Sequence, residues 1–186
     1  MLVTDVRLAL PPWIEEAVDR ERVYAGDEAR VALAIELARR NVAEGTGGPF
    51  GAVVFDDGGR VVGAGVNVVL PQHCSAAHAE VMAFAAAQAL VRRARLDEDG
   101  RRYTLATSAQ PCAMCYGACF WAGIDELLIG ARSSDVMTLS DFDEGPLPED
   151  WIGELGRRGI SVRRDILRDE ACAVFRLYAE KDGATY

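Results

Sequence analysis

The chain has no apolar run approaching the roughly 20 residues that a helix needs to cross a bilayer. That excludes an α-helical membrane span. It opens Met1-Leu2-Val3-Thr4-Asp5, without the basic start and long apolar stretch of a secretion signal, so a cytoplasmic protein is expected. Basic charge is in short supply. Twenty Lys and Arg face 29 Asp and Glu, giving a formal net charge of −9. A protein that grips nucleic acid needs a basic surface to neutralise phosphates. This balance disfavours a polyanionic partner and leaves a small neutral ligand open. The cysteines are Cys74, Cys112, Cys115, Cys119 and Cys172, an odd number that argues against a disulfide framework. A reduced compartment is expected, with Cys74, Cys119 and Cys172 read as small buried hydrophobes. Histidine is scarcer still, with only His73 and His78.

What is present suits one globular domain over residues 1–186. Half of the residues are hydrophobic and 26% are charged. Residues 1–25 read as an N-terminal extension with a short amphipathic helix after Pro11-Pro12. Asp27 resembles an N-cap for a helix from Glu28 to about Ala43, which Gly45-Thr46-Gly47-Gly48-Pro49 ends. Phe50 to Phe55 and Arg60 to Val69 predict a hairpin across Asp57-Gly58-Gly59. The glycines of the second strand suggest a bulge or a close backbone approach. Helices are expected at His78 to Val91 and Cys112 to Trp121, and strands at Tyr103 to Thr107 and Asp125 to Ile129. Leu96 to Arg102 reads as a charged loop and Ala131 to Pro148 as a polar one. A helix near Glu149 to Arg157, a strand at Ile160 to Arg163 and a helix from Asp169 to Lys181 follow. This alternation predicts parallel crossovers in an α/β layered domain.

One constellation carries chemistry. His78-Ala79-Glu80 begins one predicted helix and Pro111-Cys112-Ala113-Met114-Cys115 begins another. Residues three apart share a helix face, so Cys112 and Cys115 can point at one ion. A helix N-terminus favours their thiolates. With His78 they supply three protein ligands for one Zn²⁺ per subunit. A structural zinc site closes with four ligands, whereas three leave a position for water, whose pKa zinc lowers towards about 7. Glu80 is placed to shuttle its proton. A lone Cys-x-x-Cys could be a redox pair or half of a zinc knuckle, but neither requires an upstream His-x-Glu. The pairing is the zinc deaminase signature. His73 lies outside this spacing and reads as a loop histidine.

The chain resembles the cytidine deaminase-like superfamily, and within it the bacterial guanine deaminase branch. The resembling residues are Gly47-Gly48-Pro49-Phe50-Gly51-Ala52, Asn67, Ala77-His78-Ala79-Glu80, Pro111-Cys112-Ala113-Met114-Cys115 and Phe142-Asp143-Glu144-Gly145-Pro146. The resemblance implies a three-layer α/β/α fold around a central five-stranded mixed sheet. It implies zinc on His78, Cys112 and Cys115 with Glu80 as proton shuttle. It has Asn67 and the backbone of Ala79 touch a nucleobase that Phe50 and Phe142 line. It also implies a homodimer, in which an exchanged C-terminal segment from about residue 165 could bring Tyr186 to the partner's pocket. Two stretches depart from the pattern. Gln110 stands where the family often has Glu, and His73-Cys74-Ser75-Ala76 replaces a common Asp-Pro-Thr.

Glu144 bears on the substrate. Guanine presents a ring N–H beside its exocyclic amine, and one carboxylate accepts from both. A second catalytic carboxylate there favours guanine, giving xanthine and ammonia. An s-triazine such as ammeline shows a similar edge, and cytosine or a nucleoside could also be the substrate. A non-catalytic zinc module is the rival of another class. From spacing alone, Asp141, Asp143 and Glu144 equally make a solvated acidic loop, with Asp143 a weaker ligand candidate. Phe50 and Phe142 equally make core, and Asn67 could serve only to bond a turn backbone.

Overall fold

The strand Gly51–Asp56 (β1) is buried almost throughout, and its side chains alternate between two cores. Val53 and Phe55 join one, and Ala52 and Val54 join the other. The same alternation recurs in Tyr103–Ala109 (β3) and Glu126–Ala131 (β4). Ala106 and Leu128 face the first core; Leu105, Leu127 and Ile129 face the second. A sheet buried on both faces needs a helical layer on each. The computed structural model describes residues 1–185. Val61–Val66 (β2) and Ser161–Arg163 (β5) complete the sheet, in the order β2-β1-β3-β4-β5. β1 is antiparallel to β2 and to β3, while β3, β4 and β5 run parallel. The sheet is therefore mixed and five-stranded, as expected.

The helices in chain order are α1 (Ile14–Ala17), α2 (Gly26–Ala43), α3 (Val69–Gln72), α4 (Ala79–Val91), α5 (Ala113–Ala122), α6 (Ser133–Leu139), α7 (Trp151–Gly156) and α8 (Arg168–Glu180). α2 and α8 cover the first core, and α4 and α5 cover the second. No helix among the described residues is long and apolar enough to cross a membrane.

The glycines of β2 are a close backbone approach. A Cβ on Gly65 would strike the Ala79 carbonyl and the Ala83 amide of α4, and one on Gly63 would strike Ala83 and Ala87. Glycine here lets α4 lie directly on the strand. The start of α4, which carries His78 and Glu80, is thereby set against the sheet by backbone and not by adjustable side chains.

Several local expectations are corrected. α2 begins at Gly26 behind Ala25, with no side-chain cap; Asp27 instead meets Arg163 at 2.5 Å, tying the helix to β5. Val69 opens the short α3 and does not extend β2. Leu96–Asp99 is a 3₁₀ turn within the expected charged loop. The expected polar loop contains α6, and charge explains it. The backbone N–H of Arg132 donates to Asp135 at 2.8 Å, and Asp135 takes both prongs of Arg168 from α8 at 2.7 and 2.6 Å. The N-terminal extension forms only one turn of helix, yet Trp13, Ile14 and Tyr24 are core residues.

Both kinds of support can be tested. Gly65→Ala should destabilise the fold by about 1–3 kcal/mol through overpacking, seen as a lower denaturant midpoint. Gly156→Ala, within α7 and meeting open space, should not lower the midpoint and should raise it slightly. Arg168 first, then the Arg132 amide, holds Asp135 below the usual carboxylate range. Its stabilisation is thus present above the ordinary value of about 4 and is lost as pH falls through the depressed folded value. Asp135→Asn should lower the melting temperature at neutral pH and flatten its decline on acidification.

Candidate active site

Two helices start side by side. His78 is the N-cap of α4 with Glu80 in its first turn, and Cys112 is the N-cap of α5 with Cys115 in its first turn. Pro111 enters α5 from β3 without a backbone donor to satisfy. The ligand atoms of His78, Cys112 and Cys115 all lie within 4.8 Å of one another. His78 Nδ1 and Cys112 Sγ are 3.6 Å apart. Ligands at zinc bond lengths subtend about 3.5 Å across a tetrahedron. An imidazole and two thiols in a largely buried cluster fit zinc in donor type, number and spacing.

The electrostatics are those of crowded anions. The Cys112 thiol is drawn down to about 4, first by a hydrogen bond from Cys115 and then, against its burial, by His78. Cys115 is pushed far up, because it supplies that bond and is buried. Burial alone would lower His78, but its bond to Cys112 and the charge of Glu80 lift it above its usual value. Glu80 rises to about 7, through burial first and the Cys112 charge second. Glu144 rises to about 8 for the same two reasons in the same order. A dication held by the thiolates would reverse the repulsive part of these shifts.

The cluster opens into a cavity of about 220 Å³. Its lining includes Glu80, Cys112, Phe50, Phe142, Asp143 and Glu144. The loop after α6 delivers Glu144 by its backbone, since the Ala113 amide at the start of α5 donates to the Glu144 carbonyl at 2.9 Å. The Glu144 side chain is only 7% exposed, which rules out a merely solvated acidic loop at that position. Asp143 does stay exposed, and its Oδ1 accepts from the Gly145 amide at 2.9 Å. Gly145 turns there at φ 68°.

Phe50 and Phe142 serve as core and cavity wall together. Their rings meet edge to face at 5.1 Å; Phe175 backs Phe50 at 5.3 Å, and Tyr178 stacks on Phe142 at 6.0 Å. Asn67 is buried beside Phe50, donating from its backbone to the Phe50 carbonyl at 3.1 Å. Its Oδ1 accepts from the Val69 amide at 3.3 Å, so it does bond a turn backbone, and its amide nitrogen is the donor end. Ala79 is buried at the first position of α4. His73 is exposed at the left-handed end of α3, outside the cluster. Tyr186 lies outside the described residues. Ser75 and Gln110 also line the cavity, and the motifs did not single them out as ligands. The only sequence signal for them is that both stand where the chain departs from the family pattern.

Residues 25–131 match the model of the cytidine and deoxycytidylate deaminase zinc-binding region. The chain belongs to this family. It is a zinc-dependent hydrolytic deaminase. The guanine deaminase of Bacillus subtilis is 38% identical over 117 residues, which are 63% of this chain and 71% of that protein. The solved guanine deaminase of Nitrosomonas europaea is 45% identical with a TM-score of 0.90, over 97% of this chain and 99% of that one. A further solved structure, of a variant in complex with 8-azaguanine, is 46% identical with a TM-score of 0.89, over 95% of this chain and 98% of that one.

The donor set yields a direct test. The zinc-loaded protein should carry one zinc per chain. Cys112→Ser and His78→Ala should each lose most of it at equal free zinc, measured by elemental analysis after dialysis. Retention of full occupancy by both would overturn the ligand assignment.

Proposed function

We propose that the protein hydrolyses guanine to xanthine and ammonia. The observation that carries this reading is the second buried carboxylate, Glu144, lining the same small cavity as Glu80 and the metal cluster. Zinc, when bound by His78, Cys112 and Cys115, supplies Lewis-acid activation of water. Glu80 takes one proton from the water that adds to the carbon bearing the amine and gives it to the ring nitrogen; it then takes the second, from the new hydroxyl, and gives it to the amine, which departs as ammonia and leaves a carbonyl. Glu144 accepts from the ring N–H and the exocyclic amine together and holds that edge towards Glu80. Asn67 donates to the base from the end of β2, with the backbone of Ala79 beside it. Phe50 and Phe142 supply apolar walls for a flat ring.

Several features support a free base over larger substrates. The cavity of about 220 Å³ lies below the roughly 300–1,000 Å³ of pockets for drug-sized ligands and suits a bare heterocycle better than one carrying a ribose. The net charge of −9 speaks against a nucleic acid polymer. Five free cysteines and the absence of a membrane-crossing helix among the described residues are in keeping with a cytoplasmic enzyme. We read the functional unit as a homodimer. On α5, Trp121 is 69% and Met114 39% exposed in the single chain, more apolar surface than one helix needs to show to water. α8 packs on its own α2 and β4; an exchanged C-terminal segment would make that packing with the partner instead.

The zinc-loaded protein should release ammonia from guanine with equimolar xanthine. Good turnover of cytosine or an s-triazine with none of guanine would overturn the substrate. Glu80→Ala should lower kcat by roughly 10²–10⁴-fold with zinc content intact. Glu144→Gln should also lower kcat, since its amide opposes one donor to the donors of the base.

A further inference from the structure

A chain of hydrogen bonds, half-buried at its start and buried at its end, runs from the N-terminal extension to the residue read above as the base contact. Trp13 Nε1 donates to Thr46 Oγ1 at 3.1 Å, and Thr46 Oγ1 donates to Asn41 Oδ1 at 2.8 Å. The Asn41 nitrogen donates to two carbonyls, Gly48 O and Asn67 O, each at 2.8 Å, and because a carbonyl only accepts, these two fix which end of the amide is which. Asn41 is wholly buried on the apolar face of α2. A polar side chain there would be costly unless its bonds were made, and these bonds are.

Both carbonyls belong to the cavity's framework. Gly48 O also accepts the Phe50 amide at 2.9 Å, and the Asn67 amide donates back to Phe50 O at 3.1 Å. The Gly48 amide donates to Asn67 O at 3.2 Å. The approach is too close for any side chain at residue 47, where a Cβ would overlap Asn67 O and crowd Asn41 Nδ2. Asn41 is thus the side chain that bonds both the turn leading into Phe50 and the backbone of Asn67.

We propose that Asn41 is a positioning residue for base recognition, fastening the Gly48–Phe50 turn to Asn67 so that the aromatic wall and the Asn67 amide keep a fixed separation. It touches no reacting atom. The two carbonyls set the orientation of its amide, and Thr46, backed by Trp13, bonds the other end. The inference rests on the reading of Asn67 as a base contact, and it assigns recognition to a residue outside the cavity lining.

The test is a double-mutant cycle on the zinc-loaded enzyme with guanine. Asn67→Ala should raise KM. Asn41→Ala should raise KM roughly tenfold while kcat changes less than about threefold, because the interaction lost is one of binding and not of the chemical step. Zinc content should stay at one per chain. Added to Asn67→Ala, Asn41→Ala should raise KM no further. An unchanged KM in Asn41→Ala, full additivity with Asn67→Ala, or an equal fall in kcat and kcat/KM would each overturn the proposal. If Asn41→Ala does not fold, Thr46→Val carries the test. It removes the donor to the buried Asn41 Oδ1, loosening the fastening, and should raise KM by about threefold, and an unchanged KM would overturn the proposal. No effect of Asn67→Ala alone would instead overturn the reading of Asn67, and this inference with it.

Discussion

Negative charge in a small buried space is the constraint on which the rest of the structure depends. Cys112, Glu80 and Glu144 crowd one cavity, and each is buried enough that water gives little help. Two things oppose the repulsion. The N-termini of α4 and α5 both open onto the cluster, so two helix dipoles face the anions, and the Cys115 amide bonds the Cys112 sulfur. A divalent cation answers the remainder. The fold serves this arrangement. β3 runs into Pro111 and α5, β2 turns through Asn67 towards α4, and the glycines of β2 let α4 seat against the sheet without intervening side chains.

Much of this was legible in the chain because the chemistry is local. His78, Glu80, Cys112 and Cys115 sit within two short motifs at helix starts, and a helix start has the same geometry wherever it occurs. The alternation of apolar residues made the buried strands readable. Gly63 and Gly65 announced a close approach, although not what approached. α6 was not readable. Its flanks are polar, and its stability comes from Arg168, a residue more than thirty positions away. The missing Asp27 cap has a similar cause, because that carboxylate is drawn to Arg163 on another element.

The cavity walls divide along the same line. Glu144 was ambiguous by spacing, because an acidic loop and a substrate clamp have the same local sequence. Its burial follows from the backbone bond to Ala113, which joins it to α5 across more than thirty residues. Ser75, Gln110 and Asn41 went unread because their significance is wholly tertiary. Asn41 did leave a trace. It continues the buried stripe of Ala34 and Ala38 on α2, where a polar side chain must have partners. The stripe marks the position as bonded but not to what.

The shared duty of the aromatic wall divides the cavity lining into a braced side and an open one. Phe50 and Phe142 are braced from behind by Phe175 and Tyr178 of α8, so neither ring can swing aside without loosening the core. The exposed members of the cavity lining are Ser75 and Asp143, each on a loop at the surface. The polar, exposed edge of the cavity is therefore carried by two surface loops, while its aromatic wall is carried by the same packing that keeps the molecule folded.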